Sequence, residues 1–378
     1  MNVIDTWSAP SGPAVHAFQR IAVIGGGAWG TALAMTAARA GRTVALWCRN
    51  PDIARDINQN RRNDAYLPGI ELSDRIAAKT DLAEACAGAD AVLLVTPSGS
   101  IREMSRALAP CMPAGAPLTL CAKGIEVSSG KLLTDVAAEE CPTAPIAVLS
   151  GPTFASETAL AHPTAVTIAA RFDSASPPED GVAARLAVAL GSEAFRPYVT
   201  DDVIGVEIGG AMKNVIAICC GMMTGAGFAE NTRAALIARG VDEMKTLADA
   251  MGGRRETVTG LSGVGDLSLT CSSMQSRNMS LGVQLGEGRA RDECFDGRPV
   301  VVEGEINSIS VTDLARKKGV DLPICEAVRA ILHDGAAIGD TFAGLWSRPL
   351  EAETRTMRLS IAHPADAGAV QRFAQEFS

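Results

Sequence analysis

Lys213 lies in one of the most apolar stretches of the chain. From Val203 to Phe228 only Glu207 and Lys213 carry charge. An ammonium in such a helix pays a steep desolvation cost unless it is paired, and burial lowers its pKa. A lysine tuned in that way suits general acid–base work; the alternative is a side chain that snorkels to the surface. Glu207, six positions back, lies about 120° round a helix and is a poor partner. Another segment, or a polar ligand, must answer the charge. Asp266, between the Gly263-Val264-Gly265 turn and Leu267, is a candidate. Downstream, Ser276-Arg277-Asn278 groups hydroxyl, guanidinium and amide, a set suited to phosphate recognition. The same three residues also make a good helix cap.

A second constellation sits near the start. Ile21-Ala22-Val23-Ile24 reads as a strand buried on both faces, and it runs into Gly25-Gly26-Gly27-Ala28-Trp29-Gly30 and then an Ala-rich helix ending at Gly41. Gly25, Gly27 and Gly30 are in register with the G-x-G-x-x-G dinucleotide fingerprint. Gly25 allows the tight turn, Gly27 the approach of a pyrophosphate, and Gly30 close packing of helix on strand. The helix start at Trp29–Thr31 offers free N–H groups and a positive dipole end. A glycine-rich turn without a ligand is the alternative.

These residues need two kinds of scaffold. The 378 residues exceed one ordinary core and imply two domains. The composition, 47% hydrophobic and 20% charged, is that of a soluble globular protein. A net charge of −9 argues against a general nucleic-acid or anionic-membrane surface. Ten scattered Cys without a C-x-x-C pair indicate neither a metal site nor a disulfide framework, and the start of the chain has no secretory pattern. A cytoplasmic location is expected.

Residues 1–19 read as a loose arm. Buried strands follow at Thr43–Cys48, Ala91–Thr96, Leu118–Cys121 and Ile146–Leu149, with helical spacing between them. Open parallel sheets bind ligands at the carboxyl ends of their strands. Lys123, just past Cys121, and the Ser150-Gly151-Pro152-Thr153-Phe154-Ala155 loop therefore lie at a ligand edge. The second strand ends in Arg49-Asn50-Pro51 rather than in Asp or Glu, which leans the cofactor towards NADPH; a solvated Arg49 is the alternative. The polar run Arg171–Asp180 reads as a linker within the first domain. Composition changes after Asp202, where a buried helix begins that is too polar at its start and too interrupted to span a membrane. The expected architecture is α/β: a Rossmann-type doubly wound parallel sheet over 20–202, an all-α substrate and catalytic domain over 203–348, and a loosely attached tail over 349–378.

Taken in order, GGGAWGTALA, Tyr66-Leu67-Pro68-Gly69, Cys121-Ala122-Lys123-Gly124-Ile125-Glu126, SGPTFA, Glu207 to Ala217, GVGDLSLTCSSMQSRN and Val302-Glu303-Gly304 resemble bacterial NAD(P)-dependent glycerol-3-phosphate dehydrogenases. The resemblance runs from about residue 20 to 348. It implies interconversion of dihydroxyacetone phosphate and sn-glycerol 3-phosphate with NADPH or NADH, for glycerophospholipid synthesis, and a homodimer. By that similarity Lys213 is the catalytic acid and base. Lys123 touches both cofactor and substrate. Gly151, Thr153, Lys213, Asp266, Ser276, Arg277 and Asn278 bind substrate, Arg277 also lying near the cofactor. Gly25, Gly27 and Gly30, with Ala28, Trp29, Arg49, Tyr66, Ala155, Val301 and Glu303, hold the cofactor. No metal is implied. Ala28 and Thr153 stand where the family commonly has Ser, and losing the hydroxyl at Ala28 removes one phosphate hydrogen bond, about 1 kcal/mol. Two other readings are a related reductase acting on hydroxy acids or ketopantoate, and a catalytically silent nucleotide sensor. The first leaves Ser276-Arg277-Asn278 without a task, and the second has no use for a proton donor.

Overall fold

Short apolar runs bounded by glycine and proline form the strands of one sheet, and longer apolar periodicities form the helices that surround it or follow it. In the computed structural model, residues 15–172, 177–353, 357, 359–365 and 367–375 are described. Strands and helices alternate as β1 (Arg20–Ile24), α1 (Ala28–Arg39), β2 (Thr43–Trp47), α2 (Pro51–Asn60), β3 (Ile76–Lys79), α3 (Leu82–Cys86), β4 (Ala91–Leu94) and α4 (Ile101–Leu108). The alternation continues with β5 (Leu118–Leu120), α5 (Leu133–Glu140), β6 (Ile146–Ser150), α6 (Ala155–Ala159), β7 (Thr164–Ala170), α7 (Val182–Leu190) and β8 (Phe195–Thr200). The helical half comprises α8 (Val203–Gly225), α9 (Glu230–Ala250), α10 (Arg255–Val258), α11 (Asp266–Cys271), α12 (Arg277–Gly286), α13 (Glu303–Lys318), α14 (Pro323–His333) and α15 (Ile338–Trp346). The chain closes with β9 (Leu350–Glu351), β10 (Ser360–Ile361) and α16 (Ala367–Gln375).

The sheet order is β3-β2-β1-β4-β5-β6-β7-β8. The strand order reverses between β1 and β4, the switch point at which doubly wound sheets open a crevice. The doubly wound parallel sheet expected from sequence is present, with one departure at its end: β7 runs antiparallel to β6, and β8 parallels β7. The reason is length. The five residues of α6 advance about 7.5 Å, too little to return along a five-residue strand of about 17 Å, so the chain turns back instead of crossing over.

Two expectations about the ends also change. Residues 1–14 lie outside the described residues, but His16–Gln19 are not a loose arm. Phe18 is buried in the sheet core beneath the Arg185 guanidinium, 4.1 Å from its ring centroid. The amides of Gln19 and Arg20 donate to Asp90 Oδ2. One aromatic anchor leaves no periodicity to read. In the tail, β9 pairs with β10 and Val370 of α16 packs on Ala343 of α15. A single buried valine is again too faint a pattern. Part of the Arg171–Asp180 linker, 173–176, lies outside the described residues.

Helix α8 is the axis of the helical half. It is long and apolar enough to cross a membrane, yet it is almost wholly buried inside the protein. Asp202 caps it by accepting from Gly205 N (2.9 Å). Its glycines let α12 cross backbone to backbone: a Cβ at Gly221 would strike Met279 O, and one at Gly282 would strike Ile218 O. Ala substitutions there would force the two helices apart.

Two helices are capped from a distant helix. Leucine occupies the N-cap position of both α5 and α14, and a buried glutamate from elsewhere takes over. At α14, Glu243 of α9 accepts from Ile324 N (2.6 Å) and Cys325 N (3.2 Å). Burial pushes the Glu243 carboxyl up to about 7 against those two donors. Its folded pKa is thus above its unfolded value, so the stability it contributes is full below about 4.5 and is lost as pH rises to about 7. Glu243→Gln is expected to flatten that part of the pH dependence, a relative change on the order of 2–3 kcal/mol. Denaturant midpoints of both proteins at pH 5 and pH 8 check it; equal shifts in the two would contradict the assignment.

Candidate active site

The glycine turn comes first in the chain. Gly25 has φ +131°, a region open in practice only to glycine, and a Cβ there would lie 2.5 Å from Val95 O. A Cβ at Gly30 would strike Gly25 O, so turn and helix are in backbone contact. At Gly27 a Cβ would meet nothing within 4 Å. That open ground faces the first turn of α1, which has neither a side-chain cap nor an acidic residue. The free N–H groups of that turn, led by Ala28 and Trp29, fit a dinucleotide pyrophosphate.

Around the turn, Asn63 Nδ2 donates to Gly26 O (3.0 Å) and Thr31 Oγ1 (2.8 Å), pinning the loop that carries the exposed Tyr66. Asn63 was invisible to sequence reasoning, being a polar residue in a polar loop. Ala155, at the start of α6, packs with Ala28, Trp29 and Leu67. Arg49 is exposed at the end of β2. Asn50 caps α2 by accepting from Asp52 N (2.9 Å), and the exposed Asp52 side chain pairs with Arg55 (3.0 Å).

The second cluster forms where α8 and α11 meet the carboxyl edge of the sheet. Lys213 is only 8% exposed and Asp266 only 1%. Lys213 Nζ lies 2.9 Å from Asp266 Oδ1, and Lys123 Nζ lies 2.5 Å from Asp266 Oδ2. One carboxylate thus bridges two ammoniums from opposite halves of the chain. The surface alternative for Lys213 is excluded by its burial, and the counter-charge it needs comes from Asp266 and not from Glu207. Burial lowers the Lys213 pKa; Asp266 opposes that and Lys123 adds to it. At Asp266 burial pushes upward, but the two ammoniums outweigh it and hold the carboxyl below its usual range.

Lys213 Nζ also donates to Thr270 Oγ1 (2.8 Å), which in turn donates to Asp266 O (2.6 Å). Two of the three Lys213 donors are thereby committed, and the third has no hydrogen-bond partner among the described residues. Thr270 went unweighed from sequence, although its i+4 spacing from Asp266 on α11 puts both on one helical face. Lys123 Nζ further donates to Gly151 O (3.2 Å), which also accepts from Thr153 Oγ1 (3.3 Å). Asn307 of α13 ties the halves from the other side, donating to Ala211 O (3.1 Å) and Lys123 O (3.4 Å). Only folding reveals it.

The Ser276-Arg277-Asn278 trio divides its tasks. Ser276 is the N-cap of α12, accepting from Met279 N (3.2 Å), so the capping alternative holds for this residue. Asn278 donates to Asn214 Oδ1 (2.9 Å) and accepts from Gly304 N (2.9 Å). Asn214 adjoins Lys213 and donates to Glu303 Oε2 (3.0 Å). Arg277 alone is exposed, at the first turn of α12. Val301 is exposed immediately before α13, whose first residue is Glu303. Among the described residues no group of acidic, His and Cys side chains suited to a metal occurs.

Comparison with known proteins brings one family forward. Residues 20–176 match the family model described as NAD-dependent glycerol-3-phosphate dehydrogenase N-terminus, and residues 202–343 match the corresponding C-terminus. The chain is 50% identical over 338 residues to a glycerol-3-phosphate dehydrogenase [NAD(P)+] of Parvibaculum lavamentivorans, covering 89% of this chain and 99% of that protein. It is 48% identical over 333 residues to the protein of that name from Rhodospirillum rubrum, covering 88% and 93%. The crystal structure of glycerol-3-phosphate dehydrogenase from Coxiella burnetii superposes with a TM-score of 0.80 at 37% identity, over 87% of this chain and 99% of that one.

Proposed function

The chain belongs to the NAD-dependent glycerol-3-phosphate dehydrogenase family, and from that membership we propose how its own residues carry the reaction. It is an NAD(P)-dependent oxidoreductase that interconverts dihydroxyacetone phosphate and sn-glycerol 3-phosphate. The observation that carries the site reading is the Lys213–Asp266–Lys123 bridge, which sets a buried ammonium at the ligand edge of the sheet.

Gly25, Gly27, Ala28, Trp29, Gly30, Arg49, Tyr66, Ala155, Val301 and Glu303 would hold the dinucleotide, with its pyrophosphate at the glycine turn, and its dihydronicotinamide would supply the hydride. Lys213 holds the proton that the carbonyl oxygen of the ketone must receive as that carbon is reduced. Burial helps it release that proton, and Asp266 keeps it charged until then. In the reverse direction the neutral amine of Lys213 takes the hydroxyl proton. Lys123, with Gly151 and Thr153 beside it, orients the three-carbon chain. Arg277, the N-terminus of α12 and the Ser276 and Asn278 side chains receive the phosphate.

The test is decay of NADPH absorbance with dihydroxyacetone phosphate, against ketopantoate and against no substrate. Decay with ketopantoate alone would remove this reading. Arg277→Ala is expected to raise KM for dihydroxyacetone phosphate by about 30-fold or more, with kcat falling less, because a charge-assisted pair is worth about 2 kcal/mol or more. An unchanged KM would contradict its phosphate role.

A preference for NADPH over NADH is supported by the exposed Arg49 at the end of β2, where the chain reads Arg49-Asn50-Pro51 rather than Asp or Glu. Equal kcat/KM for the two cofactors would count against it. The family resemblance supports a homodimer and a role in glycerophospholipid synthesis. Ten free thiols suit the reducing cytoplasm.

A further inference from the structure

Glu207 lies outside the acid–base cluster, yet it is buried at 6% exposure and its carboxylate is fully engaged. Its Oε1 accepts from Thr134 N (3.0 Å) and its Oε2 from Thr134 Oγ1. Thr134 stands in the first turn of α5, whose N-cap position is held by Leu132, a residue with no capping atom. A glutamate from the helical half therefore caps a helix of the sheet half.

The segment it caps leads straight to the site. Leu132 pairs with Ile125 in an antiparallel bridge, closed by Glu126 N donating to Lys131 O (3.0 Å) and by Gly130 N donating to Glu126 O (2.8 Å). This small hairpin starts two residues after Lys123. Ile125 and Leu132 are both buried in the hydrophobic core of the helical half, with Ile208 and Met212 of α8. On α8 itself, Glu207 and Lys213 are separated by about 9 Å along the axis and about 120° around it. A bond at each point defines both the rotation and the axial position of the helix. The Lys213 point is held by Asp266, and the Glu207 point by Thr134.

We propose that Glu207 is a positioning residue for turnover: by capping α5 from α8 it holds Lys213 in register with the loop that carries Lys123. The inference rests on the reading of Lys213 as the proton donor. It assigns Glu207 no contact with substrate or cofactor.

Glu207→Ala is expected to lower kcat by about 30- to 100-fold per folded site, since sub-ångström misplacement of reacting groups costs rate at this scale. NADPH affinity should stay within about threefold, because the glycine turn is untouched. Folded sites are counted by NADPH titration. Glu207→Gln, which retains one acceptor for Thr134, should recover most of the rate, as a purely electrostatic role would not allow. Thr134→Val removes only the hydroxyl and serves if Glu207→Ala fails to fold. It should lower kcat, and the Glu207→Ala/Thr134→Val pair should lose little more than Glu207→Ala alone, the signature of a shared interaction.

A kcat for Thr134→Val and Glu207→Ala within threefold of wild type, or a loss explained wholly by fewer folded sites, would overturn the proposal while leaving Lys213 as the donor. Full turnover by a Lys213→Met protein would instead sink the Lys213 reading, and the positioning role with it.

Discussion

Replacing Lys213 by methionine is expected to lower kcat for dihydroxyacetone phosphate reduction by about 10³- to 10⁴-fold, the scale of a lost general acid, with NADPH affinity nearly unchanged. Methionine matches the apolar stem and fills the space within α8, so the loss reports the missing ammonium and not a cavity. With Lys213→Ala, small primary amines added to the assay should restore part of the rate. The wild-type pH profile follows from the same group. Burial sets the Lys213 pKa below its ordinary value of 10.5. Reduction needs the ammonium, so its kcat falls as pH rises through that lowered pKa. Oxidation of sn-glycerol 3-phosphate needs the amine and rises over the same range. Profiles in the two directions that do not mirror each other, or a methionine variant within tenfold of wild type, would remove Lys213 from the proton step.

Asp266→Asn is expected to cost about 10²- to 10³-fold in kcat and about 3–5 kcal/mol of stability, because a buried charge pair is then broken from one side. The substitution conserves shape and leaves the Thr270 bond to the Asp266 backbone in place. What it removes is the single negative charge lying 2.9 Å from one ammonium and 2.5 Å from the other. Lys213 and Lys123 then face one another with no counter-charge between them, which favours loss of a proton from one of the two. The falling limb of the reduction profile should accordingly move to lower pH. Rate loss without that displacement would mean that Asp266 acts only by shaping the pocket, and a Tm equal to wild type would contradict the unpaired-charge argument.

The glycine turn was legible from sequence because each glycine answers a local steric demand. Gly25 takes a left-handed φ, Gly30 touches backbone, and Gly27 leaves room, all within one strand–turn–helix unit. Lys213 and Asp266 were legible for a different reason. A charge in an apolar helix and a carboxylate between a glycine turn and a leucine are conspicuous against their neighbours. Thr270, Asn214 and Asn307 were not, since a hydroxyl or amide inside a helix is ordinary until its partner is known. Glu207 was noticed only as a poor partner for Lys213, and its true partner lies 73 positions away. The reversed β7, the Phe18 anchor and the packing of α16 were missed because each depends on one short connection or one buried side chain.

From sequence alone came the α/β order of elements, the glycine turn, a lysine conspicuous in an apolar helix and a family resemblance that the comparisons bear out. These are properties of neighbours along the chain, where period, glycine sterics and charge against apolar background act over a few residues. The tertiary structure alone decided which carboxylate meets Lys213, that the same carboxylate also meets Lys123, and that α5 is capped from the other half of the molecule. Those pairings join residues 53 to 143 positions apart. Nothing in local spacing selects among the polar groups available at such separations. The choice is made when the apolar faces of α8, α11 and the Ile125–Leu132 hairpin pack and bring those buried groups within reach of one another.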